Sequence, residues 1–200
     1  MSTGWMFFGI VYVLYWGSQG VAYAACRSGS AAGQRLARFF WNNRINLFQR
    51  RPFSTVLEAM EARRYWLAAG LVMLVNVRMV VMQWVLGMVF LAPLLAVVSG
   101  AMAGALFSLG ERRTVFPYGM INMVFEWGAF AAGAAAGLAT GWSWLFGSLE
   151  FSHALRSNLP FLGLGLVFLA GNGLVEAAGP VFFGIKGIPP LEAVRSQRYR

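Results

Sequence analysis

The chain has 200 residues, of which 58% are hydrophobic and only 12% are charged, and its mean hydropathy is +0.61. Soluble domains carry about 25% charged residues, so this composition excludes a soluble globular protein and predicts an all-α integral membrane protein. With no Asp, one Cys and one His, the chain also lacks a Ser-His-Asp triad, an intrachain disulfide and a multi-cysteine metal site. We therefore predict no catalytic residues, no metal and no cofactor.

The net charge of +9 comes from 15 Arg and one Lys against seven Glu. In a soluble protein this balance would suggest nucleic acid as a partner, but no nucleic-acid-binding motif accompanies it. Cytoplasmic loops of membrane proteins are enriched in Arg and Lys, and basic surfaces attract anionic lipid head groups. We expect the anionic inner leaflet to be the partner of the basic surface, and no nucleic acid.

The first apolar run, residues 4–25, carries Trp and Tyr near both ends, as membrane-spanning helices do. It has no positively charged stretch before it, so it is predicted to be a retained membrane helix and not a signal peptide. A basic segment, residues 27–64, follows with eight arginines against Glu58 and Glu61. This asymmetry predicts that the segment is cytoplasmic.

Part of the basic segment alternates arginines with apolar residues at helical spacing. The pattern predicts a basic interfacial amphipathic helix on the inner leaflet, with a docking surface for a partner as the alternative. Pro52 is expected to end this helix, and Ser54 or Thr55 to cap a second short helix that reaches Arg64. The predicted lipid-surface residues are Arg35, Arg38, Arg44, Arg50 and Arg51.

Four further spans are predicted, at residues 66–86, 88–108, 118–141 and 158–183, within a single integral membrane domain, residues 1–200. If residues 66–108 cross twice, the basic segments 27–64, 109–118 and 184–200 all face the cytoplasm; a single crossing would place the later two outside. We therefore predict five spans in the inner, cytoplasmic membrane, with the N-terminus outside and the C-terminus cytoplasmic. The basic residues of the two later segments are Arg112, Arg113, Lys186, Arg195, Arg198 and Arg200.

Ionisable and amide side chains interrupt three of these spans. Glu126 and Glu176 each follow an asparagine by four residues, Asn122 and Asn172, which places each pair on one helix face. At 1.5 Å per residue the two glutamates lie about 10 and 12 Å from the inner boundary, and Arg78 can extend its side chain toward them. We predict that these five residues form an intramembrane polar clamp between helices. A proton or solute pathway is the alternative.

Small residues recur at intervals of four in two of the spans. This spacing puts them on one helix face, where a neighbouring backbone can approach closely. The face can serve packing within the chain or between chains. The predicted helix-packing residues are Gly100, Gly104, Gly133, Gly137 and Gly141.

The order of these features resembles the stage II sporulation protein M-like membrane family over residues 66–183. Asn76-Val77-Arg78 matches that family's Asn-x-Arg-like entry to a membrane helix, and Ser99-Gly100 matches a small-residue step. Residues 117–122, Pro-Tyr-Gly-Met-Ile-Asn, match a Pro-His-Gly-x-x-Glu turn before an Ala/Gly-rich helix. Glu176 and Pro180 match a final Glu close to a Pro.

The chain departs from that pattern in the turn before the Ala/Gly-rich helix. Tyr118 stands where the family has histidine, Asn122 where it has the acid, and Glu126 lies one turn later. The resemblance implies a multispanning membrane protein that works in complexes, associated in the sporulation setting with peptidoglycan-degrading partners.

Taken together, the sequence predicts a non-catalytic membrane subunit that scaffolds or anchors a larger complex, with other membrane subunits or copies of itself as partners. Two alternatives stay open. One is a transport or permease subunit whose pathway runs past Arg78, Glu126 and Glu176. The other is an accessory subunit of an energy-converting or pigment-protein complex, suggested by the 17 Phe and 8 Trp.

Overall fold

A computed structural model describes the backbone of residues 3–109 and 115–183, with side chains over 3–109 and 118–183. All regular secondary structure within these ranges is α-helical, as the composition predicts. The helices are α1 (Thr3–Arg27), α2 (Ala31–Phe48), α3 (Phe53–Glu61), α4 (Tyr65–Met88), α5 (Ala92–Ser108), α6 (Val115–Leu145) and α7 (Phe151–Phe182). Arg112 and Arg113, and the predicted basic tail 184–200, lie outside the described residues.

Three of the described helices are long and apolar enough to cross a membrane, fewer than the five predicted: α4, residues 118–145 of α6, and α7. The predicted span 88–108 shortens to the 17 residues of α5, below the roughly 20 that a crossing needs. Its first turn is lost because Phe90 adopts a positive φ of 62° and Pro93 starts the helix anew. Helix α1 has the length, but its centre contains Ser18 and Gln19 between glycines, which lowers its hydropathy.

The last helix begins earlier than predicted. The predicted spans 118–141 and 158–183 left residues 142–157 as a connection between helices, yet α7 starts at Phe151 and includes His153 in its first turn. The carbonyl of Glu150 accepts the amide hydrogens of His153 and Ala154, both at 3.0 Å. Pro160 therefore lies inside the helix.

Helix α6 is the centre of the bundle, and every residue from 127 to 141 is buried. Helix α4 runs parallel to α6, since Val80 lies beside Gly133 and Met88 beside Gly141. Helices α1 and α7 run antiparallel to α6, and α5 runs parallel to α1. The carboxyl ends of α1, α5 and α7 and the amino ends of α4 and α6 therefore lie at one end of the molecule. We call it the basic end, because α2 and α3 connect α1 to α4 there.

Helices α2 and α3 pack on the bundle through small and medium side chains. Ala37 of α2 contacts Cys26 of α1 and Ala105 of α5, and Ser30 caps α2 by accepting the Gly33 N–H at 3.1 Å. The predicted cap at Ser54 or Thr55 is wrong. Helix α3 begins at Phe53, its N-cap Pro52 makes no side-chain cap bond, and Ser54 is buried within the helix. The apolar side of α3 packs on α4.

Candidate functional site

A chain of three asparagines joins α4, α7 and α6 inside the bundle. The Asn76 Nδ2 donates to Asn172 Oδ1 at 2.8 Å, and Asn172 Nδ2 donates to Asn122 Oδ1 at 3.0 Å. Asn172 has no exposed surface and Asn122 is 7% exposed. Burying an amide without hydrogen bonds is costly, so these bonds fix the register of the three helices.

The asparagine chain leads to two carboxylates. The side-chain amides of Asn122 and Asn172 lie beside the carboxylate of Glu176, which interacts electrostatically with Glu126 on the neighbouring helix. Both glutamates are partly buried. Four of the five residues predicted for the clamp, Asn122, Asn172, Glu126 and Glu176, are thus brought together.

The cation beside these carboxylates is Arg44 of α2. It interacts electrostatically with Glu126 and with Glu176, and its guanidinium carbon lies 4.9 Å from the centre of the Phe48 ring. Arg44 lies two helical turns beyond Ala37, so it shares the face of α2 that turns to the bundle. It was expected on the lipid surface with four other arginines, and this expectation is corrected. The other four are exposed: Arg35, Arg38, Arg50 and Arg51.

Arg78 does not join the two glutamates. Its side chain is exposed, and its guanidinium carbon lies 6.0 Å from the centre of the Phe53 ring of α3. Two residues along a helix rotate a side chain by about 200°, so Arg78 points away from the interior that Asn76 faces. The sequence contained the evidence for this outcome. Asn76 and Arg78 are two residues apart on one helix, so only one of the two side chains can face the bundle. We call Arg44, Asn76, Asn122, Glu126, Asn172 and Glu176 the polar cluster.

A second polar group, on α1, α4 and α6, was missed by the sequence analysis. Trp127 Nε1 donates to Gln19 Oε1 at 2.7 Å, and Gln83 Nε2 donates to the Tyr15 hydroxyl. The Tyr15 and Trp127 rings stack with centroids 4.4 Å apart. Tyr15 also interacts electrostatically with Glu126, which links this group to the polar cluster. Isolated Gln and Tyr residues in apolar runs gave no pattern from which to predict it.

Tyr118 holds the amino end of α6 to α7. Its hydroxyl donates to the Val175 carbonyl and accepts the Gly179 N–H at 3.1 Å. In a regular helix these two backbone groups would bond each other. A side chain inserted in this way is a recognised cause of helix bending. Gly179, whose N–H the hydroxyl accepts, immediately precedes Pro180.

All five predicted packing glycines lie at helix crossings within the chain. A Cβ on Gly137 would lie 2.8 Å from Gly87 Cα, and a Cβ on Gly87 would lie 2.9 Å from Gly137 Cα. Gly133 and Gly141 meet the backbone of α4 in the same way. Gly100 and Gly104 meet the backbone of α1. These faces are therefore occupied inside the molecule.

The fold and the polar cluster define an all-helical protein with helices suited to a membrane and with charged side chains that lie near one another among them. No protein-family model, curated protein or solved structure matches this chain. The resemblance to the stage II sporulation protein M-like family therefore stays a prediction.

Proposed function

We propose that this chain is a non-catalytic membrane subunit that scaffolds or anchors a larger membrane protein complex. The observation that supports this most is the position of Arg44 on the face of α2 that turns to the bundle. Its Nε is buried and its charge interacts electrostatically with Glu126 and Glu176, although no ion pair joins them among the described residues. Charges inside a membrane protein are costly unless opposite charges lie near them. Three such charges on α2, α6 and α7 would hold the basic helix in one position, which suits a rigid platform for partners.

We further propose five crossings, with the N-terminus outside the cytoplasmic membrane and the C-terminus inside. The support is the alternation in direction of α1, α4, α5, α6 and α7, together with the position of α2 and α3 at the basic end. Helix α5 has 17 residues and packs along α1 through Gly100 and Gly104. In this proposal α1 and α5 cross as a pair, and the buried polar side chains of α1 face α4 and α6, where Tyr15 accepts from Gln83 and Gln19 accepts from Trp127.

The exposed arginines of α2 and its following turn are proposed to contact anionic lipid head groups. Arg35 and Arg38 are exposed beside Phe39, which is 59% exposed. An apolar ring next to cationic side chains suits the boundary between acyl chains and head groups. The basic surface would then orient the platform on the inner leaflet.

The resemblance to the stage II sporulation protein M-like family suggests cell-envelope remodelling, with peptidoglycan-degrading partners, as the setting. The hydrogen bonds of Tyr118 to α7 are consistent with a structural part for that motif position. Tyr118 would then connect two helices at this motif position, as a packing residue, although the family has histidine there.

The test is the size of the native assembly. The chain, extracted from its own membrane in a mild detergent, should migrate as a complex larger than one 21.9 kDa chain in its micelle. Arg44→Gln should weaken that assembly, while Arg38→Gln, an exposed arginine on the same helix, should leave it intact. A lone monomer in the wild type would contradict the scaffold.

A transport subunit is the second candidate, because Tyr15 interacts electrostatically with Glu126 and its hydroxyl accepts a hydrogen bond from Gln83. Gln83 is fully buried, and its Oε1 and the neighbouring Trp84 Nε1 have no hydrogen-bond partner among the described residues. Such orphaned groups are where buried water binds. Proton flux in proteoliposomes that is lost in Glu126→Gln, with the assembly preserved, would favour this candidate over the scaffold.

A further inference from the structure

The outward side of α4 is an exposed stripe that is apolar except for one central charge. The spacing of three and four residues places its members on one helix face. We call this stripe the α4 outer face. It consists of Leu67, Gly70, Leu74, Arg78, Val81 and Val85, all exposed.

Arg78 lies far from either end of this helix. It follows Tyr65 by 13 residues, about 20 Å along the axis, and the hydrocarbon core is about 30 Å thick. Its side chain leans toward the amino end of α4 and ends over the Phe53 ring. Among the described residues it has this aromatic partner and no carboxylate within ion-pair distance. The Phe53 ring does not neutralise this charge, and an uncompensated guanidinium beside an apolar helix face calls for an anionic partner.

The charge argues against a second copy of this chain as the occupant. Two copies related by a two-fold axis along the membrane normal would present the same face at the same depth. Arg78 would then face Arg78, and like charges repel most strongly where water is scarce. Gly70, by contrast, has no atom within 4 Å of a Cβ position, so a foreign helix can approach closely at that point.

We propose that the α4 outer face docks a transmembrane helix of a different protein, one that carries a carboxylate opposite Arg78. This inference rests on the proposed scaffold function and names the chemistry of its partner. The apolar residues supply shape, Gly70 allows close approach, and the guanidinium selects the carboxylate through charge-assisted hydrogen bonds. The same residues would exclude a helix that is apolar throughout or basic at that depth.

A model helix tests this surface without knowledge of the natural partner. The probe is a synthetic Leu/Ala transmembrane peptide with one Glu at its centre, reconstituted with the purified full chain in phosphatidylcholine vesicles and followed by energy transfer between labels. We expect it to associate about tenfold more tightly than matched peptides with Gln, Leu or Lys at the same place. Arg78→Gln should remove the preference, and Arg78→Lys should keep most of it.

Two controls separate the docking face from general effects. Arg156→Gln changes an exposed arginine outside the α4 outer face and should leave the preference unchanged. Gly70→Leu should weaken binding of the Glu peptide by obstructing its approach. A charge exchange, Arg78→Glu with the Lys peptide, should restore tight association.

Equal association of the Glu and Leu peptides, or a preference that survives Arg78→Gln, would overturn the proposal. It would also be overturned if, in vesicles that also contain phosphatidylglycerol, Arg78→Gln lost a bound anionic lipid and had no effect on any peptide. The native assembly size tests the scaffold separately. A monomeric wild type that still selects the Glu peptide would contradict the scaffold and support the docking face.

Discussion

The side-chain Nδ2 of Asn172 on α7 donates a hydrogen bond to the side-chain Oδ1 of Asn122 on α6 at 3.0 Å, and the two residues are 50 positions apart in the chain. Asn172 Oδ1 also accepts a hydrogen bond from Asn76, and its side chain lies beside Glu176. Asn172 is fully buried. One amide thus connects α4 and α6 to α7, so the core of the polar cluster depends on it.

Replacing Asn172 should therefore destabilise the fold. Asn172→Ala leaves Asn76 and Asn122 each short of a buried partner, at a cost of about 1–3 kcal/mol. Thermal unfolding in detergent, followed by circular dichroism, measures the loss. Asn42→Ala, on the exposed side of α2, serves as the control and should unfold as the wild type does. Equal unfolding temperatures for the three proteins would show that the amide chain contributes nothing.

The glycine crossing between α4 and α6 should be intolerant of even a methyl group. In Gly137→Ala the new Cβ would lie 2.8 Å from Gly87 Cα and closer still to the Trp84 carbonyl oxygen. We expect destabilisation of about 1–3 kcal/mol from this overpacking, measured by the same unfolding assay.

Gly163→Ala is the matched control, because no atom lies within 4 Å of a Cβ at that position of α7. Removing an open helical glycine should stabilise the helix by up to about 1 kcal/mol. Opposite signs for the two substitutions are the expected result. If both substitutions changed the free energy of unfolding in the same direction, helix propensity would determine the effect at Gly137, and the close approach of α4 would not.

Tyr118 and Gly179 should be energetically coupled. A Cβ on Gly179 would lie 2.6 Å from the Tyr118 hydroxyl oxygen, so Gly179→Ala should cost about 1–3 kcal/mol in the wild type. In a Tyr118→Ala background the ring is gone and the same methyl group should be accommodated. A double-mutant cycle on unfolding free energies should give a coupling of about 0.5–3 kcal/mol. Additive effects would argue against a tie between α6 and α7 at this point.

The sequence was sufficient for the helical class and for most of the polar cluster, because these depend on local spacing. Asn122 with Glu126, and Asn172 with Glu176, share helix faces by their interval of four, and the glycines of α6 repeat at the same interval. Both signals are properties of one helix alone. They stay valid whatever the neighbouring helices do.

The choice of cation could not be predicted in the same way. From the sequence, either Arg44 or Arg78 could supply the positive charge beside the two partly buried glutamates. Only the packing of α2 against α1 and α5 decides between the two arginines. That packing depends on small residues such as Ala37 in a segment dominated by arginine, which resembles a lipid-surface helix. The 17-residue length of α5 could not be predicted either, because it depends on one residue of positive φ, Phe90, before the start of the helix.

The central claim is that Arg44 fastens α2 to the bundle through Glu126 and Glu176. Breaking a fully buried charge pair costs about 3–5 kcal/mol. Arg44 is partly exposed and, among the described residues, makes no ion pair with either glutamate, so we expect a smaller local effect, about 1.4 kcal/mol or a tenfold change in opening. Amide hydrogen exchange reports such local opening directly.

The decisive measurement is therefore hydrogen exchange of residues 31–48 in Arg44→Gln, with Arg38→Gln as the matched control. The proposed clamp predicts exchange about tenfold faster than in the wild type for Arg44→Gln, and unchanged exchange for Arg38→Gln, whose side chain is exposed. Wild-type protection of α2 in Arg44→Gln would contradict the clamp and leave the two glutamates to the transport alternative.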